Sequence, residues 1–155
     1  MRDAHTSIEF ADPKLHRLDH FPNALLDVPA QQLWQVLEGP TLFHLQGRHQ
    51  RPLFVSVLLH GNEHTGWQAV QTIMRNIQTR GLARDLLLFV GNIDAARANM
   101  RTLPLQNDYN RTWPGTPLQD APEAALMREV VDIVAASNPF ASVDIHNNTG
   151  HNPHY

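Results

Sequence analysis

Cysteine does not occur in the chain. That excludes disulfide staples and thiolate zinc sites, and it leaves histidine and carboxylate as the side chains available to hold a metal. Long apolar runs are missing too. The longest, Leu53 to Leu59, spans seven residues and is broken by Ser56, against the roughly 20 needed to cross a bilayer. There is no basic excess: a formal charge of -3 and scattered Lys and Arg give no footprint for nucleic acid. The start, Met1-Arg2-Asp3-Ala4-His5, runs into polar sequence without the apolar core of a secretory signal. The expectation is a cytoplasmic protein with neither membrane nor nucleic acid as partner. Against these absences stand 155 residues, 42% of them hydrophobic and 17% charged, which suit one soluble globular domain. Ten histidines is a high count for the commonest metal-ligating residue.

Apolar periodicity orders the chain. Residues 1–40 read as an N-terminal lead-in, polar and loosely packed to about Asn23, with a helix or turn over Ala30–Glu38 after Pro29. Thr41 to Gly47 is a short strand, and Gly47 to Pro52 a polar connection of hairpin length. Leu53–Leu59 is almost uniformly apolar and predicts a strand covered on both faces. A helix follows from Thr65 to about Gln78, with Trp67, Val70, Ile73, Met74 and Ile77 on one stripe and Gly81 as its stop. Leu86–Val90 is a second apolar strand. Ile93 to Ala121, with Pro104, Pro114 and Pro117, reads mostly as loop, long enough to suggest a role. Pro122 to Ala136 is a helix with proline in its first turn and a stripe of Leu126, Val130, Ile133 and Val134. Ala141–Ile145 is a third short strand, and it ends on His146. The order predicts an α/β fold with a mixed, largely parallel sheet flanked by helices. Nothing follows the last strand to cover it, so residues 41–155 read as the first part of a larger domain.

His60-Gly61-Asn62-Glu63 comes directly after the first apolar strand, where open α/β sheets bind ligands. A His and a carboxylate in one turn supply two zinc ligands, and two His with one carboxylate leave a position open for water and substrate. A third ligand must come from the same sheet edge, and His146 has that position. His60-x-x-Glu63-His64 also fits the H-x-x-E-H pattern, but that geometry needs the motif inside a helix, and Gly61-Asn62 place His60 before the helix begins. His151 and His154, beside Pro153, fit adventitious binding. In the long loop, Arg101 precedes Asp108-Tyr109-Asn110-Arg111. An arginine near a metal stabilises a developing oxyanion, and an Asn/Arg pair grips a carboxylate. Asp108 is either a turn residue or the acceptor for the free nitrogen of a metal-bound histidine.

Taken together, His60-Gly61-Asn62-Glu63, Asn92, Arg101, Asp108-x-Asn110-Arg111 and Asp144-Ile145-His146-Asn147 resemble the motifs of the zinc carboxypeptidase-like hydrolases. The closest branch is the succinylglutamate desuccinylase/aspartoacylase group, where H-G-N-E, D-x-N-R and D-x-H-N recur in this order. The likeness runs from about Leu53 to the C-terminus. It implies the phosphorylase/hydrolase-like fold and one Zn2+ per chain, held by His60, Glu63 and His146. It implies that Arg101 polarises the scissile carbonyl, that Asn110 and Arg111 hold a substrate carboxylate, and that Asp108 partners His60. The implied reaction is hydrolysis, by metal-activated water, of an amide bond next to a free carboxylate. The substrate would be an N-acyl amino acid or a peptide C-terminus.

The chain departs from the branch in several places. Tyr109 stands where Leu is frequent, Ile93 follows Asn92 where Pro is frequent, and the Arg101-to-Asn110 loop is slightly long. The general-base Glu of the family lies on a later strand, beyond His146, and neither Glu123 nor Glu129 occupies that place. The expectation is therefore a chain that binds zinc and hydrolyses weakly or not at all. The alternative is a non-catalytic zinc-binding or interaction module. The sequence sets no oligomeric state.

Overall fold

The computed structural model describes residues 12–147. One five-stranded sheet is built from β1 (His16–Leu18), β2 (Thr41–Leu45), β3 (Leu53–Val57), β4 (Leu86–Val90) and β5 (Ala141–Asp144), in the spatial order β1-β2-β4-β3-β5. Three of its four pairings are parallel, and β2 with β4 is the antiparallel one. Helices α1 (Thr65–Arg80) and α3 (Pro122–Ala136) are the long ones, and a short α2 spans Ile93–Arg97. This is a mixed, mostly parallel α/β fold. No helix among the described residues is long and apolar enough to cross a membrane.

Side chains alternate across a strand, and that alternation divides the core in two. Phe43, Leu45, Val57, Leu88 and Val90 face α1, where Trp67, Val70 and Met74 pack on them. Leu42, Phe54, Leu87 and Phe89 face α3, where Leu126, Met127, Val130 and Val134 do the same. Strand β4 contributes to both faces, and four of its five residues are buried, which suits a central strand. With α1 and α3 on opposite faces, the connections leaving β3 and β4 diverge. Such divergence opens a crevice at the C-terminal ends of parallel strands.

Four expectations need correction. The lead-in is not loose between His16 and Asn23, while the helix or turn expected over Ala30–Glu38 is present as a short 3-10 helix. β1 pairs with β2, and two short 3-10 helices, Asn23–Leu26 and Ala30–Gln35, bury Leu25 and Leu33 completely against the α1 face. β2 and β3 form no hairpin, because β4 lies between them. The Gly47–Pro52 connection packs instead on the segment entering β4. Gly47 lies so close to Arg84 that a Cβ would sit 2.2 Å from its carbonyl carbon. Gly47 N–H donates to Asp85 Oδ1 at 2.7 Å, and Leu53 N–H to Asp85 O at 2.8 Å. β3 stops at Val57 rather than Leu59, and its Leu53 and Val55 are only half-buried. The loop after β4 opens with α2, which Asn92 caps by accepting from Ala95 N–H at 3.1 Å.

Both long helices match expectation, α1 closing on Gly81 at φ +68 with its N–H donated to Ile77 O at 2.7 Å. β5 is an exposed edge strand. It is moored by Phe140 N–H to Pro52 O at 2.7 Å and Ile145 N–H to Ser56 O at 3.0 Å. The Arg84 guanidinium lies 4.2 Å from the centre of the Phe140 ring.

Candidate metal centre

The turn after β3 is set by its backbone. Leu58, fully buried, adopts a left-handed φ of +55, a conformation that is costly for a branched side chain and tends to occur at functional sites. Its carbonyl accepts from Asn92 N–H at 2.6 Å, which ties the end of β3 to the end of β4. Gly61 then passes against α2 so closely that a Cβ would meet the Ala95 carbonyl carbon and the Ala96 nitrogen at 2.2 Å. Only glycine permits that approach. Gly61 N–H donates to Arg101 O at 3.1 Å, and Glu63 N–H to His60 O at 3.1 Å. The result presents His60 and Glu63 on one side of a tight turn.

His60, Glu63 and His146 come together, each offering a ligand atom within 4.8 Å of the others. Glu63 lies between the two rings. Its Oε1 is 2.8 Å from His60 Nδ1, and its Oε2 is 2.8 Å from His146 Nδ1. Oε2 also accepts from Asn147 N–H at 3.2 Å. The outer nitrogens meet carboxylates as well: His60 Nε2 to Asp108 Oδ1 at 2.9 Å, and His146 Nε2 to Asp144 Oδ2 at 2.7 Å. A neutral imidazole has one N–H to give. With a carboxylate at both nitrogens, each ring is either positively charged or has a cation in place of the proton on one side. Three carboxylates face one guanidinium, Arg101, so with neutral rings the cluster carries two negative charges in excess. The donor set therefore fits a divalent cation between the two Nδ1 atoms and Glu63. The outer carboxylates would fix the tautomers, as they commonly do for metal-bound histidine.

The cluster shifts its own titrations. Burial works to raise the pKa of Glu63, but hydrogen bonds from His146 and His60 outweigh it and hold the carboxyl below the ordinary 4.5. Asp108 behaves alike: burial opposes, while His60, Arg101 and Asn110 N–H together bring it below 3.8. At His146 burial favours the neutral ring, yet Asp144 and Glu63 raise its pKa above the ordinary 6.5.

The remaining expected residues separate into groups. Arg101 is at the centre, its Nη2 donating to Asp108 Oδ2 at 3.0 Å and its Nη1 3.7 Å from Glu63 Oε1. Asn110 and Arg111 follow in a 3-10 turn, Tyr109–Arg111, capped by Asp108, which accepts from Asn110 N–H at 2.8 Å. Asn110 is half-buried there and Arg111 exposed. His64 points elsewhere, with Nε2 on Gly61 O at 3.0 Å and Nδ1 facing Gln31 Nε2 at 3.3 Å. Glu123 is buried and accepts from both Asn107 N–H and Asn107 Nδ2 at 3.0 Å. His151 and His154 lie outside the described residues. Asp144 as the partner of His146 was not foreseen, although the spacing Asp144-x-His146 puts both on one side of a strand.

The fold and this cluster define a class: an α/β protein with a candidate metal centre at the C-terminal edge of its sheet. The chain belongs to the succinylglutamate desuccinylase/aspartoacylase family, since the model of that family's catalytic domain matches residues 50–154, about two thirds of its length. The family is zinc carboxypeptidase-like and hydrolytic, and it acts on acylated amino acids. Neither the curated proteins nor the solved structures include a match to the chain.

Proposed function

We propose that the chain carries the zinc-binding site of an amidohydrolase that cleaves an amide bond next to a free carboxylate, in an N-acyl amino acid or at a peptide C-terminus. The observation that carries this reading is the convergence of His60, Glu63 and His146 from two separate strand ends, with Glu63 between the two Nδ1 atoms. Zinc, when bound, supplies Lewis acidity and a water whose pKa falls toward neutrality. The chain's own residues do the rest. Glu63, held ionised, and the Nδ1 atoms of His60 and His146 serve as ligands for one ion per chain. Asp108 holds His60 by its Nε2. Arg101, already within 4 Å of Glu63, directs a guanidinium to the scissile carbonyl oxygen, where charge develops. Asn110 and Arg111 hold the substrate carboxylate, Arg111 through the two-pronged geometry a guanidinium offers. The partner is thus a small acidic molecule, and the setting a cytoplasmic one.

The test is metal analysis joined to hydrolysis of N-succinyl and N-acetyl amino acids. One zinc per chain is expected. Arg101→Ala should keep the zinc and lower whatever hydrolytic rate the wild-type chain retains by about 100- to 1,000-fold, the loss typical of removing one oxyanion donor. A wild-type protein that holds no zinc sinks the reading. A non-catalytic zinc-binding or interaction module is the second reading. It is favoured by the lack, among the described residues of the centre, of a carboxylate free to act as general base: Glu63, Asp108 and Asp144 are each bonded to a histidine. Stoichiometric zinc with no binding of any N-acyl amino acid to the zinc-loaded chain would select it.

A further inference from the structure

Ser56 is the one polar residue of β3 and is 1% exposed. Its place in an otherwise apolar strand calls for a partner, because a buried hydroxyl without one is costly. The partner is Asp144, which stands in register with it across the β3–β5 pair and accepts its hydroxyl at Oδ1, 2.7 Å away. The other oxygen, Oδ2, meets His146 Nε2 at 2.7 Å, which leaves His146 Nδ1 facing Glu63 at 2.8 Å. β5 is an exposed edge strand, and among the described residues Asp144's side chain hydrogen-bonds to nothing but Ser56 and His146. The His60 side is held differently. There, Asp108 is fixed by Arg101 Nη2 at 3.0 Å and by Asn110 N–H at 2.8 Å. Among the described residues the His146 side has no arginine, and a buried serine stands in its place.

We propose that Ser56 is a positioning residue for the metal centre: by holding Asp144 it orients the ring of His146 so that Nδ1 is presented to the ion. The proposal rests on the metal-binding reading above. Removing an outer partner of a metal-bound histidine costs about 10- to 100-fold in affinity, and Ser56, one bond further out, belongs at the lower end.

The experiment measures zinc affinity of the full chain by competition with a chromophoric chelator. Ser56→Val should bind about tenfold more weakly than wild type, near the lower end of that range. Ser56→Thr, close to valine in shape but with the hydroxyl kept, should restore the affinity. The absorption spectrum of the cobalt-loaded protein should change with Ser56→Val and return with Ser56→Thr. In an Asp144→Ala background, Ser56→Val should have no further effect. Equal affinities for the Thr and Val variants, or a Val effect that persists in full without Asp144, overturn the proposal. If His60→Ala and His146→Ala still abolish binding in that case, the metal reading survives. Should wild type bind no zinc, the metal reading falls. Nitrogen-15 spectra of the metal-free imidazoles then decide the positioning role. A His146 Nε2–H that is slow to exchange in wild type and Ser56→Thr but not in Ser56→Val sustains it, and identical spectra overturn it.

Discussion

The two histidines that flank Glu63 stand on different ground. His60 follows a strand buried in the sheet, its side chain 3% exposed, in a turn pressed against α2. His146 follows an edge strand whose four residues are all exposed, and its own side chain is 27% exposed. Each ring nevertheless has the same pair of acceptors, Glu63 inside and an aspartate outside. Chemical symmetry thus sits on mechanical asymmetry. One half of the centre is part of the core, while the other is attached to it through Ser56 and the main-chain pairing of β5. The same substitution should therefore have the same effect on metal binding and different effects on folding.

The largest expected effect breaks that pairing directly. His60→Ala and His146→Ala should both abolish stoichiometric zinc. In the metal-free protein, His60→Ala should lower stability by about 2–3 kcal/mol, because it takes one charge-assisted hydrogen bond from each of Glu63 and Asp108 in a largely buried place. His146→Ala should lower it by less than about 1 kcal/mol, as for a partly solvated pair. Urea unfolding of the two variants checks this, and equal losses would remove the asymmetry. Next in size is Gly61→Ala. The added methyl has only backbone to displace, so a loss of about 1–3 kcal/mol is expected, together with weakened zinc binding. A variant that unfolds at the wild-type urea concentration would show that α2 yields.

The smallest effect is on pH. The lowered pKa of Glu63 stabilises the metal-free fold above 4.5, its unfolded value, and that contribution is lost as pH falls through the folded value below it. The raised pKa of His146 stabilises below 6.5 and is lost as pH rises through the folded value above it. The pair thus contributes fully between pH 4.5 and 6.5 and fades on either side. Comparing urea midpoints of wild type and His146→Ala across that range should show their difference narrowing above it. A constant difference would mean that His146 is not coupled to Glu63.

How much of this the sequence discloses follows the same division. His60 and Glu63 are legible because a ligand pair directly after a seven-residue apolar run leaves few other roles, and the ordered motifs lead from there to Asp108 and His146. α1 and α3 are legible because their apolar stripes repeat at helical spacing. The position of β4 between β2 and β3 is not, since short connections favour neighbours and only the two-sided burial of Leu87, Leu88, Phe89 and Val90 reverses that choice. β1 is three residues long and α2 five, too short for a period to register. Ser56 reads in sequence as a blemish in an apolar strand, because its partner is 88 residues away.

Arg101 joins the long loop to the ligand turn twice, by its carbonyl on Gly61 N–H and by its guanidinium 3.7 Å from Glu63. Asn92 and Gln106 fasten the same loop further along, through mutual side-chain bonds of 2.9 and 3.2 Å. A loop fixed at main chain and side chain alike cannot swing as a lid without undoing the turn that holds His60. The two therefore form one unit of local unfolding. On the proposed reading, Asn110 and Arg111 sit on that same unit, and selectivity on this side of the site would come from a preformed shape rather than from closure.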